Sequence, residues 1–514
     1  MSDRKIPAPT GTRDLYPDDV LARRYLTQTW RDTAIRCGFE EIEGPTFEHL
    51  DLYTIKSGEG IVSELFSFRR SGGEKDYALR PEFTPTLARM YAARAQQLPK
   101  PCKWFTAGPY FRAERPQRGR LREFLQWNMD FLADDGSPAG RAMAETEIEH
   151  AILSCFMTLG LGPGDVTLRL SHRTATANIL RFCGVPDDKV EAWFGLLDRA
   201  QKIPFETYVE LARALGAEEP TAQRVRAAIE SKLEGDSEDA TLIGRLFSRD
   251  PSSLSAAERQ FAAEQVVPYV RQLASTWVNL GLVGVSPSPV RIDFRVVRGL
   301  AYYTGLVFEA TAEGERAVCG GGRYDGLVEL FGGPATPAVG FGMGDVVLGL
   351  LLAERDLWPK GAELADAVSR APASARPEVF VISADDEATD PIERGLVLML
   401  RSGIESMAYR ERRGKPWERD RYEARSGGVR PMHARQSYKS TRNLKKLLAD
   451  AERQQAKFAA IVHGLERVQL KDLDRRVDLT PADLGVGSIA EFSAVPTSPV
   501  YVGRAAAALV DAVR

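Results

Sequence analysis

The sequence is poor in cysteine and histidine, has no long apolar run and carries no phosphate-binding loop. Each shortage removes a class of protein. Its five cysteines (Cys37, Cys102, Cys155, Cys183, Cys319) are odd in number, widely separated and never paired as Cys-x-x-Cys. A disulfide framework or a zinc site is therefore not expected, and a reducing cytosol fits. None of the five histidines is spaced to share a metal with another His or Cys, so no protein-bound structural metal is expected. No apolar run approaches the roughly 18 residues a membrane span needs. The N-terminal MSDRKIPAPTGTRD is polar and lacks the apolar core of a signal peptide. The expectation is a cytoplasmic protein with no membrane contact. There is no Gly-x-x-x-x-Gly-Lys-Ser/Thr loop. GFGMGD at 340–345 has the wrong glycine spacing, and no βαβ unit around it, for a dinucleotide fingerprint. Any nucleotide must then be held by arginines and β-strand groups.

What is present is a globular composition, 44% hydrophobic and 27% charged, in 514 residues, enough for two to four domains. The net charge of −3 hides an asymmetry. Between Arg410 and Lys446, 13 Lys or Arg face 4 Asp or Glu, a local +9 that leaves −12 for the rest. Trp417, Tyr422 and Tyr438 are interleaved with these cations, a mixture suited to phosphate contact and base stacking. A solvated charged loop is the plainer reading of the Gly-, Pro- and Arg-rich 414–431. Its place inside an otherwise folded domain favours nucleic acid.

Segment 122–132 (REFLQWNMDFL) carries the most chemistry. Read as a strand, it puts Arg122, Phe124, Gln126, Asn128 and Asp130 on one face and Leu125, Trp127, Met129 and Phe131 on the other. The second face is core. A cation, an aromatic, two amides and a carboxylate in register suit the floor of a small-molecule site, though alternation alone also fits an ordinary half-buried strand. The preceding FRAERPQRGR, 111–120, is a turn-rich basic loop, so a strand–loop–strand hairpin would hold four arginines near the polar face. That combination suits a triphosphate and a polyanion.

The pattern along the chain predicts an amphipathic helix over 17–37, short strands and loops over 66–131, and a helix over 142–159. A mostly helical insertion follows at 178–285. Strand-like runs return at 290–297 and 306–311, and 339–352 mixes glycines with a buried helix. The Ala-, Ser- and Pro-rich 361–376 reads as a linker between a domain at 1–360 and a second at 377–514. In the second, strands at 379–383 and 458–463 alternate with helices at 391–402 and 443–455, which predicts a small α/β domain with a mainly parallel sheet, interrupted by the basic stretch.

Three further clusters stand out. In LRPEFTPTLARM, 79–90, Glu82 and Thr84 lie two apart on a turn closed by Pro81 and Pro85; together they could hold an ammonium group, and a helix N-cap is the other reading. RGLAYYTG, 298–305, puts an arginine and two tyrosines just past a strand. CGGGRYDG, 319–326, has three consecutive glycines, which let a ligand approach the backbone closely.

In this order, GTRDLYPDD, RPEFTP, FRAERPQRGRLREFLQWNMD, RGLAYYTG and CGGGRYDG resemble the histidyl-tRNA synthetases, class II aminoacyl-tRNA synthetases, over almost the whole chain. The resemblance implies an α+β fold: a class II antiparallel sheet flanked by helices, with a helical insertion, plus a C-terminal α/β domain like the anticodon-binding one, enlarged here by the basic insertion at 410–438. It also implies a homodimer that ligates L-histidine to its tRNA through a histidyl-adenylate, using ATP as substrate and Mg2+ with it. Carried over, Arg112 and Arg298 resemble the catalytic arginines at the α-phosphate, and Phe124 the ring stacked on adenine. Glu82, Thr84 and Gln126 match positions around the substrate amino group and carboxylate. Asp130 and Tyr303 match the groups at the imidazole nitrogens, and Tyr302 and Tyr324 complete the pocket. Gln117 and Arg118 match the tRNA acceptor end.

The chain also departs from the family pattern. Where many members end the third class motif in Glu-Arg-Leu, whose arginine holds the γ-phosphate, this chain has Asp345, Val346, Val347 and Leu348. Arg118 or Arg120, the latter counted with the ATP-binding residues, is the substitute expected from the loop. Ala301 replaces a common acidic residue. The regulatory subunit of ATP phosphoribosyltransferase, a non-catalytic paralogue on the same fold, is the alternative; it generally lacks an anticodon-binding domain and parts of the ATP site, whereas Glu82, Arg112, Gln126 and Arg298 are kept here. Another class II ligase would share the architecture, but RGLAYYTG argues against it.

Overall fold

The structure, a computed structural model, describes residues 6–57, 59–200, 203–231, 239–247, 250–281, 290–297, 302–383, 390–402, 431–439, 441–463 and 467–479. Helix α1 (Pro17–Arg36) starts where proline is tolerated, in a first turn whose N–H groups have no helical partner. Asp19 accepts the Tyr16 N–H at 3.0 Å, which fixes the entry. Its buried stripe includes Tyr25, Leu26, Trp30 and Ala34. After the edge strand β1 (Glu40–Glu41) comes a small antiparallel sheet of β2 (Phe47–His49), β3 (Ser67–Arg69) and β4 (Asp76–Leu79), with α2 (Asp51–Ser57) in its first connection and α3 (Thr84–Ala92) after it.

The central hairpin is β5 (Cys102–Phe111) and β6 (Glu123–Leu132), followed by α4 (Pro138–Thr158) and β7 (Thr167–His172). Among the described residues, seven helices from α5 (Arg173–Phe182) to α11 (Val267–Gly281) form the insertion. The chain then returns through β8 (Val290–Ile292), β9 (Leu306–Thr311), β10 (Ala317–Arg323), α12 (Leu327–Leu330), β11 (Ala338–Gly344) and α13 (Asp345–Glu354). Strand β8 is shorter than the alternation over 290–297 suggests. Asp293 accepts the N–H and Nε of Arg295, at 3.1 and 2.7 Å, and turns the chain out of the sheet.

The main sheet runs β1-β5-β6-β11-β10-β9-β7-β8, antiparallel throughout its six central strands, with a short parallel strand at each edge. Its two faces differ in kind. On one, Trp127, Met129, Phe131, Phe341 and Met343 join Trp30 of α1 and Ile148 and Ile152 of α4 in the largest core, where Trp30 stacks on Trp127 at 6.2 Å. On the other lie Gln126, Asn128 and Asp130, opposite glycines of β11. The polar/apolar split read from 122–132 is thus the split between site and core.

The segment read as a linker contains α14 (Ala362–Val368), whose Leu364 and Ala367 bury against the main core. Two apolar residues three apart are too short a pattern to register as periodicity, yet they suffice for one docked helix. The C-terminal sheet has the order β13-β12-β14-β15-β16, from β12 (Val379–Ser383), β13 (Ala434–Gln436), β14 (Phe458–His463), β15 (Arg467–Asp472) and β16 (Val477–Leu479). Helices α15 (Asp390–Ser402) and α16 (Leu444–Arg453) are the two expected. The first three strands in that order are parallel; β15 and β16 add an antiparallel edge.

Most of the basic insertion, including Trp417 and Tyr422, lies outside the described residues; its last part does not. Tyr438 was expected to stack on bases. Instead it packs edge-on against Phe131 at 5.8 Å and donates its hydroxyl to Glu147 at 2.6 Å. Glu147 also binds Lys103 at 2.5 Å and Arg401 at 3.0 Å, all three being buried. Burial pushes the Glu147 carboxyl up, but Arg401 and Lys103 override it and hold its pKa at about 2. The aromatic of a charged stretch is here part of an ionic knot that ties the C-terminal sheet to the main one.

Candidate active site

The hairpin fixes the site's first wall. Phe111 pairs with Glu123 at the end of the β5–β6 ladder, and the loop closes at Gln117 and Arg120, which exchange backbone hydrogen bonds of 3.1 and 2.9 Å around Gly119 in the left-handed region. Gln117 is therefore presented on an exposed tip. Arg112 donates from Nε to the Pro81 carbonyl at 3.2 Å and lays its guanidinium 5.1 Å over the Phe124 ring. The cation and the aromatic expected to hold a nucleotide are in contact with each other.

Deeper in, Asp130 is 2% exposed and pairs in register with Gly340 on β11. One carboxylate oxygen accepts the Tyr324 hydroxyl at 2.5 Å; the other is buried with no hydrogen-bond partner among the described residues. Burial raises its pKa to about 7, and the charge of Glu82 adds to this against the Tyr324 hydrogen bond. A buried acceptor without a donor costs about 1–3 kcal/mol, more when charged, so the arrangement calls for a donor from a ligand. Gly340 is obligatory here. A methyl group on it would lie 2.0 Å from the Asp130 carboxylate, and one on Gly342 would lie 2.6 Å from Gln126 Nε2. The glycines of GFGMGD are not a nucleotide loop but the bare strand that lets the polar side chains of β6 lie flat.

The tyrosines close the pocket. Tyr302 and Tyr303 have ring centroids 4.7 Å apart, and Tyr302 meets Tyr324 edge-on at 6.0 Å. Tyr302 donates to Glu82 at 3.2 Å, with Thr84 in the same polar contact; burial, then the Glu82 charge, pushes its phenol well up. Gln126 Nε2 donates to Asn128 at 2.8 Å. Glu82, Thr84, Gln126, Asp130, Tyr302, Tyr303 and Tyr324 are thus brought together around one polar face. The phenol bonded to Asp130 is that of Tyr324, and Tyr303 lies beside Tyr302 in the same pocket. Thr84 is the first residue of helix α3, whose N-cap position is Phe83 and carries no side-chain capping bond, so the N-cap reading of Glu82 and Thr84 is not met.

Other expected residues sit elsewhere. Arg298 lies outside the described residues. Arg118 pairs with Glu315 and Glu354. Arg120 pairs with Glu114. Asp345, at the third-motif position, accepts the Leu125 N–H at 2.9 Å and the guanidinium of Arg13 at 2.6 Å, locking the N-terminal segment to the start of α13. Arg323 of the GGRYDG run turns away from the site into a buried cluster with Glu145 at 2.7 Å, Asp134 at 3.0 Å and Asp325 at 3.1 Å. Only Tyr324 of that motif reaches Asp130, and the signal for it is strand alternation. Asn128 is visible on the polar face without a role of its own; Arg13 belongs to the GTRDLYPDD run, but nothing there reveals its partner, 332 residues away. Among the described residues no group of three or more His, Cys, Asp or Glu could hold a metal ion, and no helix is long and apolar enough to cross a membrane.

A six-stranded antiparallel sheet with a polar strand face, an arginine–phenylalanine pair at its mouth and a glycine-lined floor is the catalytic architecture of a class II aminoacyl-tRNA synthetase. The family model of histidyl-tRNA synthetase matches residues 11–344. A histidine–tRNA ligase of Opitutus terrae is 38% identical over 359 residues, 69% of this chain and 77% of the relative, and one of Haloarcula marismortui is 36% identical over 352 residues, 68% and 75%. The chain belongs to the histidyl-tRNA synthetase family. A crystal structure of histidyl-tRNA synthetase from Nostoc shares the fold, with a TM-score of 0.55 at 21% identity, covering 93% of this chain and 98% of that one.

Proposed function

We propose that this chain activates L-histidine with ATP, releasing pyrophosphate, and then passes the histidyl group from the adenylate to the 3'-terminal adenosine of its tRNA, releasing AMP. The observation that carries the reading is the unpartnered, buried oxygen of Asp130 at the end of the polar strand face. An imidazole has one N–H donor and one acceptor nitrogen. Asp130 accepts the N–H while its other oxygen holds the Tyr324 hydroxyl, and the Tyr303 phenol supplies the donor. Glu82 and Thr84, both in polar contact with Tyr302, and Gln126, on the same strand face as Asp130, are assigned to the amino group and carboxylate. Phe124 offers its ring to adenine, and Arg112, lying on that ring, moves onto the α-phosphate when the base displaces it. As a histidine carboxylate oxygen attacks the α-phosphorus and pyrophosphate leaves, negative charge builds at that phosphate. Arg112 and Arg298 are the cations assigned to it.

Magnesium comes with the nucleotide's phosphates and shields their charge. The C-terminal α/β domain at 377–514, its basic insertion and the exposed loop tip at Gln117 are assigned to tRNA. A homodimer fits the small sheet, where Phe68 (44% exposed) and His49 stack on Tyr77 and Phe47 (50%) meets Phe68 and Tyr77 edge-on, an aromatic patch for a second copy. The five cysteines, all free and buried, suit the reducing cytoplasm. Histidine-dependent exchange of labelled pyrophosphate into ATP tests the core of the reading. Its absence in the full-length protein would favour the regulatory paralogue, and a monomer in analytical ultracentrifugation would remove the dimer.

A further inference from the structure

Helix α13 opens with Asp345, Val346 and Val347, so no cation stands where the third motif of many relatives carries one. Asp345 is committed to Arg13 and the Leu125 N–H. The two loop arginines expected to compensate are each tied to carboxylates, Arg118 to Glu315 and Glu354, Arg120 to Glu114. The turn between β9 and β10 brings in another cation. Gly314, at φ +76°, reverses the chain there. Glu315 then reaches Arg118, which fastens this turn to the tip of the β5–β6 hairpin. The next residue, Arg316, runs its aliphatic stem alongside Gly119. A methyl group placed on Gly119 would lie 3.3 Å from Arg316 Cδ and 3.2 Å from Val347 Cγ2. Arg316 and Val347, the latter in the first turn of α13 where the missing arginine would stand, thus both border Gly119.

Arg316 is exposed and, unlike Arg118 and Arg120, makes no ion pair among the described residues. We propose that Arg316, reaching in from the β9–β10 turn, holds the terminal phosphates of ATP in place of the arginine the third motif lacks. The proposal rests on the ligase reading above. A guanidinium suits the task because it stays charged and can grip two phosphate oxygens at once. A like-charge neighbourhood supports the placement. Burial is the largest influence lowering the pKa of Arg120, followed by the charges of Arg316 and Arg112, so Arg120 lies within electrostatic reach of both. The β9–β10 turn would supply the β- and γ-phosphate end and Arg112 the α-phosphate end of one bent triphosphate.

The test uses the full-length protein and two ligands that differ only beyond the α-phosphate: ATP, and a non-hydrolysable histidyl-adenylate analogue. Arg316→Ala should raise the ATP KM in pyrophosphate exchange by about tenfold or more, the loss of one charge-assisted contact. Its affinity for the analogue should stay within about twofold of wild type, because the analogue has no terminal phosphates. Arg316→Lys should recover part of the loss. An ATP KM unchanged in the Ala variant would overturn the assignment, and so would an equal loss for ATP and analogue, which marks a loop that has merely moved. If wild type itself shows no histidine-dependent exchange, the ligase reading fails first and this one with it.

Discussion

Asp130→Asn should separate the stability of the fold from its use. The side chain keeps its size, and its oxygen can still accept from Tyr324, but the charge is gone. In the folded protein the Asp130 pKa is about 7 against an ordinary 3.8. Between those values the native state holds a proton that the unfolded chain has released, so wild-type stability falls as pH rises from about 4 to 7 and stays low above that. Three pKa units correspond to an upper bound of about 4 kcal/mol, and relaxation around the site should reduce it to about 1–3 kcal/mol. The Asn variant should therefore melt higher than wild type at pH 8 and at the same temperature near pH 4, by scanning calorimetry. In steady-state assays at pH 8 its histidine KM should rise by about 10- to 100-fold, the loss of one charge-assisted hydrogen bond, with the ATP KM unchanged. A lower melting temperature at pH 8, or equal losses for both substrates, would refute the idea that this carboxylate is held ready for an imidazole.

Arg298→Ala should lower histidine-dependent pyrophosphate exchange by about 100- to 1,000-fold while circular dichroism and melting stay as in wild type. Activity within about threefold of wild type would remove Arg298 from the reaction. Gly340→Ala forces a methyl group to 2.0 Å from the Asp130 carboxylate; the resulting shift should cost about 100-fold in histidine activation, and a fully active variant would show that the strand can move aside. Glu147→Ala strands Lys103 and Arg401 in a buried site and should destabilise the full chain by about 3–5 kcal/mol. An unchanged denaturation midpoint would mean that the knot contributes nothing.

How much of this was legible follows from the range over which each signal acts. Alternation along β6 is a property of ten successive residues, so the separation of Gln126, Asn128 and Asp130 from Trp127 and Met129 could be read directly. The hairpin, α1, α4 and the helical insertion were equally local. Charge partners were not. Nothing in the arginine-rich loop reveals the partners of Arg118, Glu315 and Glu354, which lie 197 and 236 residues further on. Tyr438 looks like a stacking residue because nothing nearby reveals Glu147 on α4. Helix α14 has too few apolar positions to stand out, and its burial is decided by α1. The resemblance to a family assigned roles to Tyr303 and Tyr324, and only the folded chain brings Tyr324 onto Asp130.

The knot of Lys103, Glu147, Arg401 and Tyr438 also bears on how freely the two halves of such a protein can be recombined. Domains joined by a tether alone are exchangeable parts, since any partner of suitable length will do. Here a carboxylate on one half is satisfied by a guanidinium and a phenol on the other, with the carboxylate, the guanidinium and Lys103 buried and the phenol half-buried. A chimera that imported a foreign C-terminal domain would inherit an orphaned anion and a lysine at the seam, and would need matching changes on both sides before it folded as tightly. Interchange between lineages is thereby restricted to partners that carry the same arginine and tyrosine, and the join behaves as an inherited lock, not as a hinge.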